Sequence, residues 1–104
     1  MTFALKESKS GEKFLLQAEG EIDVYTSSQL KEKINALLDN GVKELVIDLS
    51  NVSYIDSTGL GIFIGTLRNL KERGGRMELL SPTPRVKKVL NITGLDRVFD
   101  IKYA

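Results

Sequence analysis

Leu45-Val46-Ile47-Asp48-Leu49 and, a few residues on, Tyr54-Ile55-Asp56-Ser57-Thr58-Gly59-Leu60-Gly61 decide how this chain folds. The first run is apolar, branched and broken by one carboxylate, which predicts a central strand over 45–49 covered on both faces. Ser50-Asn51-Val52-Ser53 reads as a loop. From Leu60 the apolar residues recur as Leu60, Phe63, Ile64, Leu67 and Leu70, the spacing of an amphipathic helix that stops at Gly74-Gly75. Ser57 therefore stands beside Asp56 where strand gives way to helix. The first turn of a helix leaves its N–H groups unpaired, so a serine there is open to capping, to anion binding or to phosphorylation.

Upstream, Phe3 and Leu5 alternate with polar residues, Ser8-Lys9-Ser10-Gly11-Glu12 supplies a turn, and Phe14, Leu16 and Ala18 alternate again. That pattern is a half-buried hairpin. Gly20-Glu21-Ile22-Asp23 closes its second strand. Thr26-Ser27-Ser28-Gln29 matches a capping box, with Thr26 accepting from the third helical N–H and Gln29 reaching back. Leu30, Ile34, Leu37 and Leu38 then form one helical stripe, and Asn40-Gly41 offers a left-handed stop. Downstream, Met77, Leu79 and Leu80 form a strand. Thr83 and Pro84 open a helix bearing Val86, Val89 and Leu90, Thr93-Gly94 ends it, and Val98-Phe99-Asp100-Ile101 is a last strand or a packed tail. Two strands followed by alternating helix and strand specify an α/β fold with a mixed sheet and right-handed crossovers that put the helices mainly on one face. Loops after parallel strands gather at one sheet edge. Ser57 lies on such a loop, as does Asp23 if the hairpin's second strand runs parallel to 45–49.

The 104 residues suit a single domain, 1–104, able to bury roughly two-thirds of its unfolded surface. With no cysteine there are no disulfides or thiolate metal sites, and with no histidine the usual general base and the commonest metal ligand are missing. Fifteen basic against fourteen acidic residues leave a net charge of +1 without a basic block, so direct nucleic-acid binding is not expected. The apolar runs are strand-sized and Met1-Thr2-Phe3-Ala4-Leu5-Lys6-Glu7 lacks a leader pattern; a soluble cytoplasmic protein without a membrane segment is expected.

Ser57 as a hydrolytic nucleophile would need Lys43 or Lys71 in place of histidine, with nothing to single either out. Gly59-Leu60-Gly61 begins a dinucleotide fingerprint, but Ile64 occupies the third glycine position and no Gly-Lys-Ser/Thr run exists. Asp56 and Asp23 would repel a bound anion, and the two alone offer too few oxygens for a metal; no cofactor is expected. Gly59 and Gly61 each cost about 1 kcal/mol in a helix, which points to a low surface that a partner presses against. Asp23 is read as helping to present the Ser57 hydroxyl, against a solvated carboxylate at a strand end or a cap for the helix at Thr26. Tyr25 is read as packing at the core edge, against recognition, and Asp48 as hydrogen-bonded structure in a buried strand.

Asp56-Ser57-Thr58-Gly59-Leu60-Gly61 and Gly20-Glu21-Ile22-Asp23-Val24-Tyr25, with Leu45-Val46-Ile47-Asp48-Leu49 and Ile92-Thr93-Gly94-Leu95, resemble the anti-sigma factor antagonists, small single-domain members of the STAS family. The resemblance spans essentially the whole chain. It implies a four- or five-stranded mixed sheet and a non-enzymatic regulator. Such a regulator binds an anti-sigma factor that is also an ATP-dependent serine kinase, and so frees an RNA polymerase sigma factor. It further implies that the kinase phosphorylates Ser57 to end binding and that a PP2C-type phosphatase resets the switch. Asp23, Tyr25, Thr58 and Gly59 are implied to lie in or beside the kinase-facing surface, and Asp56 and Gly61 complete the partner-binding set. A monomer is expected, nearer the general stress-response branch than the sporulation branch. The other reading is a STAS module that holds a nucleotide or anion at the Ser57 helix start.

Overall fold

The computed structural model describes residues 3–104; the Met1-Thr2 start of the segment read for a leader lies outside them. In chain order the elements are β1 (Ala4–Ser10), β2 (Lys13–Ile22), α1 (Ser27–Asp39), β3 (Glu44–Ile55), α2 (Ser57–Glu72), β4 (Arg76–Leu80), α3 (Pro84–Ile92), a 3₁₀ turn (Leu95–Arg97) and β5 (Asp100–Lys102). The five strands lie side by side in sequence order. β1 and β2 form the antiparallel hairpin, and every later neighbour is parallel. Each crossover steps in the same direction along the sheet, so right-handed connections stack the helices on one face.

The burial pattern shows that face directly. Leu45, Ile47 and Leu49 of β3 are buried with Leu16, Ala18, Met77 and Leu79, whereas Val46, Asp48 and Glu78 point the other way and are only half-buried. The expectation that 45–49 is covered on both faces is therefore corrected. Asp48 is not a buried charge either; its carboxylate accepts from the Ser50 N–H at 2.9 Å. The open face stays wet because charges line it, among them Lys13, which reaches across β3 to Glu78 at 3.3 Å.

On the covered face the α1 stripe Leu30, Ile34, Leu37 and Leu38 is buried as its spacing requires, and Phe63, Leu67 and Leu70 of α2 meet it. Arg73 ties the two helix ends by donating to the Leu38 carbonyl at 2.7 Å. Ile64 is only partly buried, and Thr66, unremarked in the sequence pattern, is buried instead with its hydroxyl donating to the Ile62 carbonyl at 2.7 Å.

Three local expectations change. Residues 50–53 are strand, not loop: β3 runs to Ile55 and stays paired to β2 through two register shifts. Its polar composition has a physical cause, since β4 pairs only with 44–48 and leaves the later part of β3 with one open edge. Thr83 covers part of that edge, donating to the Val52 carbonyl at 2.8 Å while accepting from Val86 N–H as the α3 cap. The hairpin turn is narrower than 8–12, because β1 continues through Ser10 and Gly11 turns the chain at φ +62°. The last strand begins only at Asp100; Phe99 before it is buried in the core.

Candidate functional site at the start of α2

Parallel pairing of β2 with β3 brings their two carboxyl-end loops together, as the Asp56 N–H donating to the Ile22 carbonyl at 3.1 Å shows. The cap of α2 is Asp56, not Ser57. Asp56 is extended (φ −107°, ψ −174°), and its carboxylate accepts from the Thr58 N–H at 2.9 Å and the Gly59 N–H at 3.2 Å. The Thr58 hydroxyl donates to the same carboxylate oxygen. Burial pushes the Asp56 carboxyl upward, but the Thr58 hydroxyl and the N–H groups of Gly59, Thr58 and Val24 outweigh it and hold the group below its ordinary value. Asp56 is thus ionised at neutral pH.

Ser57 occupies the first helical position and is exposed. Its hydroxyl enters no hydrogen bond among the described residues, in contrast to that of its neighbour Thr58, which Asp56 engages. The two hydroxyls, equivalent in sequence, are chemically distinct in the fold.

The β2–α1 loop is organised by Asp23. Its carboxylate accepts from the N–H groups of Tyr25 at 2.9 Å and Thr26 at 3.1 Å, and its carbonyl accepts from Ser27 N–H at 2.8 Å. The capping box does not form: Thr26 makes no side-chain cap bond, and its hydroxyl instead accepts from the Asp23 N–H and donates to the Glu21 carbonyl at 2.8 Å. Asp23 wins because the turn at 23–26 places its acceptor against two N–H groups before the helix begins. Tyr25 is 86% exposed, which corrects the core-edge packing read from sequence. Val24, 61% exposed beside it, went unnoticed in the sequence, although an apolar residue stranded between Asp23 and Thr26 was the available signal.

The two glycines part company. A Cβ on Gly59 would lie 2.5 Å from Ile22 Cγ2 and 2.8 Å from Ile55 Cγ1, so Gly59 faces the core and does not make a low outer surface. Gly61 meets nothing within 4 Å and is exposed, as is Gly65 one turn on. Together they floor a groove between α1 and α2 that runs from Ser57 past Lys31 and Asn35 to Asn69. On the far side, Tyr54 carries the Arg85 guanidinium 5.8 Å above its ring.

No group of three or more metal-type ligands occurs among the described residues, and none of their helices is long and apolar enough to cross a membrane. The family model described as the STAS domain matches residues 5–104. The anti-sigma-B factor antagonist of Bacillus subtilis (strain 168) is 45% identical over 82 residues, covering 79% of this chain and 74% of that one. An anti-sigma factor antagonist from Mycobacterium paratuberculosis superposes with a TM-score of 0.88 at 28% identity over 97% of this chain and 86% of its own. SpoIIAA of Bacillus, also an anti-sigma factor antagonist, superposes in its unphosphorylated form with a TM-score of 0.82 at 29% identity, over 99% of this chain and 88% of its own. Its phosphorylated form gives 0.76 at 28% identity, over 99% and 91%.

Proposed function

The chain belongs to the STAS domain family, whose anti-sigma factor antagonists are its homologues, and from that premise we propose that it binds a serine-kinase anti-sigma factor, releases a sigma factor, and is switched off by phosphorylation of Ser57. The observation that carries this reading is the free, exposed Ser57 hydroxyl at the head of α2 beside a Thr58 hydroxyl already engaged by Asp56. A kinase presented with this surface meets one unengaged acceptor. SpoIIAA, solved both with and without phosphate, gives the precedent in a chain of the same fold. The surface read by the kinase comprises Ser57, Thr58 and Gly61 on α2 and Tyr25 with Val24 on the neighbouring loop. Asp23 and Asp56 shape it through the turns they close, and Gly59 seats the helix. A PP2C-type phosphatase restores the unmodified form, and the cycle runs in the cytoplasm.

Phosphate at Ser57 adds roughly −1.5 to −2 charges at pH 7. The positive end of α2 tolerates that charge, so the isolated fold persists. At the interface the phosphate adds to the ionised Asp56 and faces the partner's carboxylates and bound nucleotide, and like charges about 4 Å apart across the contact in a surface-like dielectric repel by up to ~4 kcal/mol. A loss of ~1.4 to 4 kcal/mol weakens binding about tenfold to several hundredfold, enough to exchange partners. The anion-holding alternative is disfavoured by the same geometry, because Asp56 already occupies the Thr58 and Gly59 N–H groups that a free anion would need.

Ser57→Ala is expected to bind the kinase and resist ATP-dependent release, and Ser57→Asp to lose much of its affinity. Equal binding by the two variants would sink the electrostatic switch.

A further inference from the structure

At the β5 edge of the sheet, a groove runs between α3 and the C-terminal strand. Pro84, Lys87, Lys88 and Asn91 line it at helical spacing i, i+3, i+4, i+7, and Ile101 and Tyr103 form the other wall. Its floor is apolar and its helical rim is basic. From residue 84 to the end the chain holds five cations, Arg85, Lys87, Lys88, Arg97 and Lys102, against Asp96 and Asp100, although the whole chain is only +1. The remainder is therefore net acidic; of the charges from 84 onward, Lys87 and Lys88 line the groove with Asp96, while Arg85 is turned to Tyr54.

Those charges are not spent internally. Lys102 pairs with Asp100 at 3.5 Å, and Asp96 accepts from the Asn91 amide at 3.0 Å. Arg85, Lys87, Lys88 and Arg97 have no ion-pair partner among the described residues. The Lys87 ammonium instead lies 5.3 Å from the Tyr103 ring centroid, over its face. Tyr103, 57% exposed, presents its ring at the groove wall, and β5 is the sheet's outer strand.

We propose that this groove docks an acidic protein segment that carries aliphatic side chains, the carboxylates meeting Lys87 and Lys88 and the aliphatic groups packing on Pro84, Ile101 and Tyr103. Charge complementarity selects that occupant: an apolar floor needs aliphatic contact, and unpaired ammonium groups on the rim steer and orient carboxylates. A nucleic acid fits less well, since Asp96 and the apolar floor offer its phosphates nothing. The site stands apart from Ser57, so its occupancy does not depend on the phosphorylation state there.

The test is an NMR titration of the ¹⁵N-labelled 1–104 chain with a synthetic amphipathic helix of glutamate and leucine, with a lysine–leucine counterpart and a short DNA duplex as comparisons. The glutamate–leucine peptide is expected to shift the amides of Lys87, Lys88, Asn91, Ile101 and Tyr103, and Lys87→Glu/Lys88→Glu to weaken it at least about tenfold with unchanged circular dichroism. Both lysines are exposed, so the double variant retains its fold. Shifts spread away from the groove, an absence of shifts, equal binding by the lysine–leucine peptide, stronger binding by DNA, or unchanged affinity in the double variant would each overturn the proposal.

Discussion

Gly59 and Gly61, two residues apart on α2, are expected to respond to alanine with opposite sign. At Gly59 the new methyl would sit 2.5 Å from Ile22 Cγ2 and 2.8 Å from Ile55 Cγ1. Neither atom is the free end of a flexible side chain, and both isoleucines are essentially fully buried. Overpacking of this kind costs about 1–3 kcal/mol, while alanine returns about 1 kcal/mol of helix propensity, so Gly59→Ala is expected to be destabilised by ~0–2 kcal/mol. A Cβ on Gly61 would meet no atom within 4 Å beyond its own turn of helix. Only the propensity gain remains there, and Gly61→Ala is expected to be more stable by about 0.5–1 kcal/mol. Urea unfolding followed by circular dichroism reads the difference as a shift in midpoint at constant slope. On heating, the two variants should separate by about 4–8 °C per kcal/mol for a domain of this size. If Gly59→Ala proves as stable as Gly61→Ala, the inward packing of α2 on β2 and β3 is wrong.

Asp56 has a folded-state carboxyl held below its ordinary value of 3.8, so its stabilisation is complete above that pH and is lost as pH falls through the lower folded value. Acid titration of stability should therefore show Asp56→Asn losing its deficit relative to the parent at low pH; a deficit that grows on acidification would contradict the assignment. Thr83→Val removes both the α3 cap and the bond to the Val52 carbonyl and should cost about 1–2 kcal/mol in urea unfolding, against near neutrality if Thr83 were merely exposed. Tyr25→Ala should leave stability within about 0.5 kcal/mol because the ring is 86% exposed, yet weaken binding to the kinase measured by calorimetry; a destabilised variant would return Tyr25 to the core.

Helical periodicity made the α1 stripe and most of the α2 stripe legible, because 3.6-residue spacing has one geometric solution once a face is buried. The same rule could have separated the glycines. Gly59 lies one turn before the buried Phe63 and Gly61 one turn before the exposed Gly65, so the two point to opposite sides of α2. Residues 50–53 were illegible for a non-local reason, since their polarity reflects where β4 stops and not what their own backbone does. Asp56 and Ser57 are both good caps, and only the extended backbone at Asp56 decides between them. Thr26 lost its predicted cap because its hydroxyl is turned back into the preceding turn, accepting from the Asp23 N–H and donating to the Glu21 carbonyl, away from the helical N–H groups. The adjacency of the Asp23 and Asp56 loops followed from parallel pairing of β2 with β3, a condition the sequence could state but not verify.

A phosphate on Ser57 is expected to end partner binding without unfolding the domain. Calorimetric titration of the serine-kinase anti-sigma factor with the chain, unmodified and then fully phosphorylated at Ser57, measures it directly. The dissociation constant is expected to rise at least about tenfold on a domain whose melting temperature and circular dichroism are unchanged. Equal affinity in the two forms, or loss of binding that accompanies loss of structure, would contradict it.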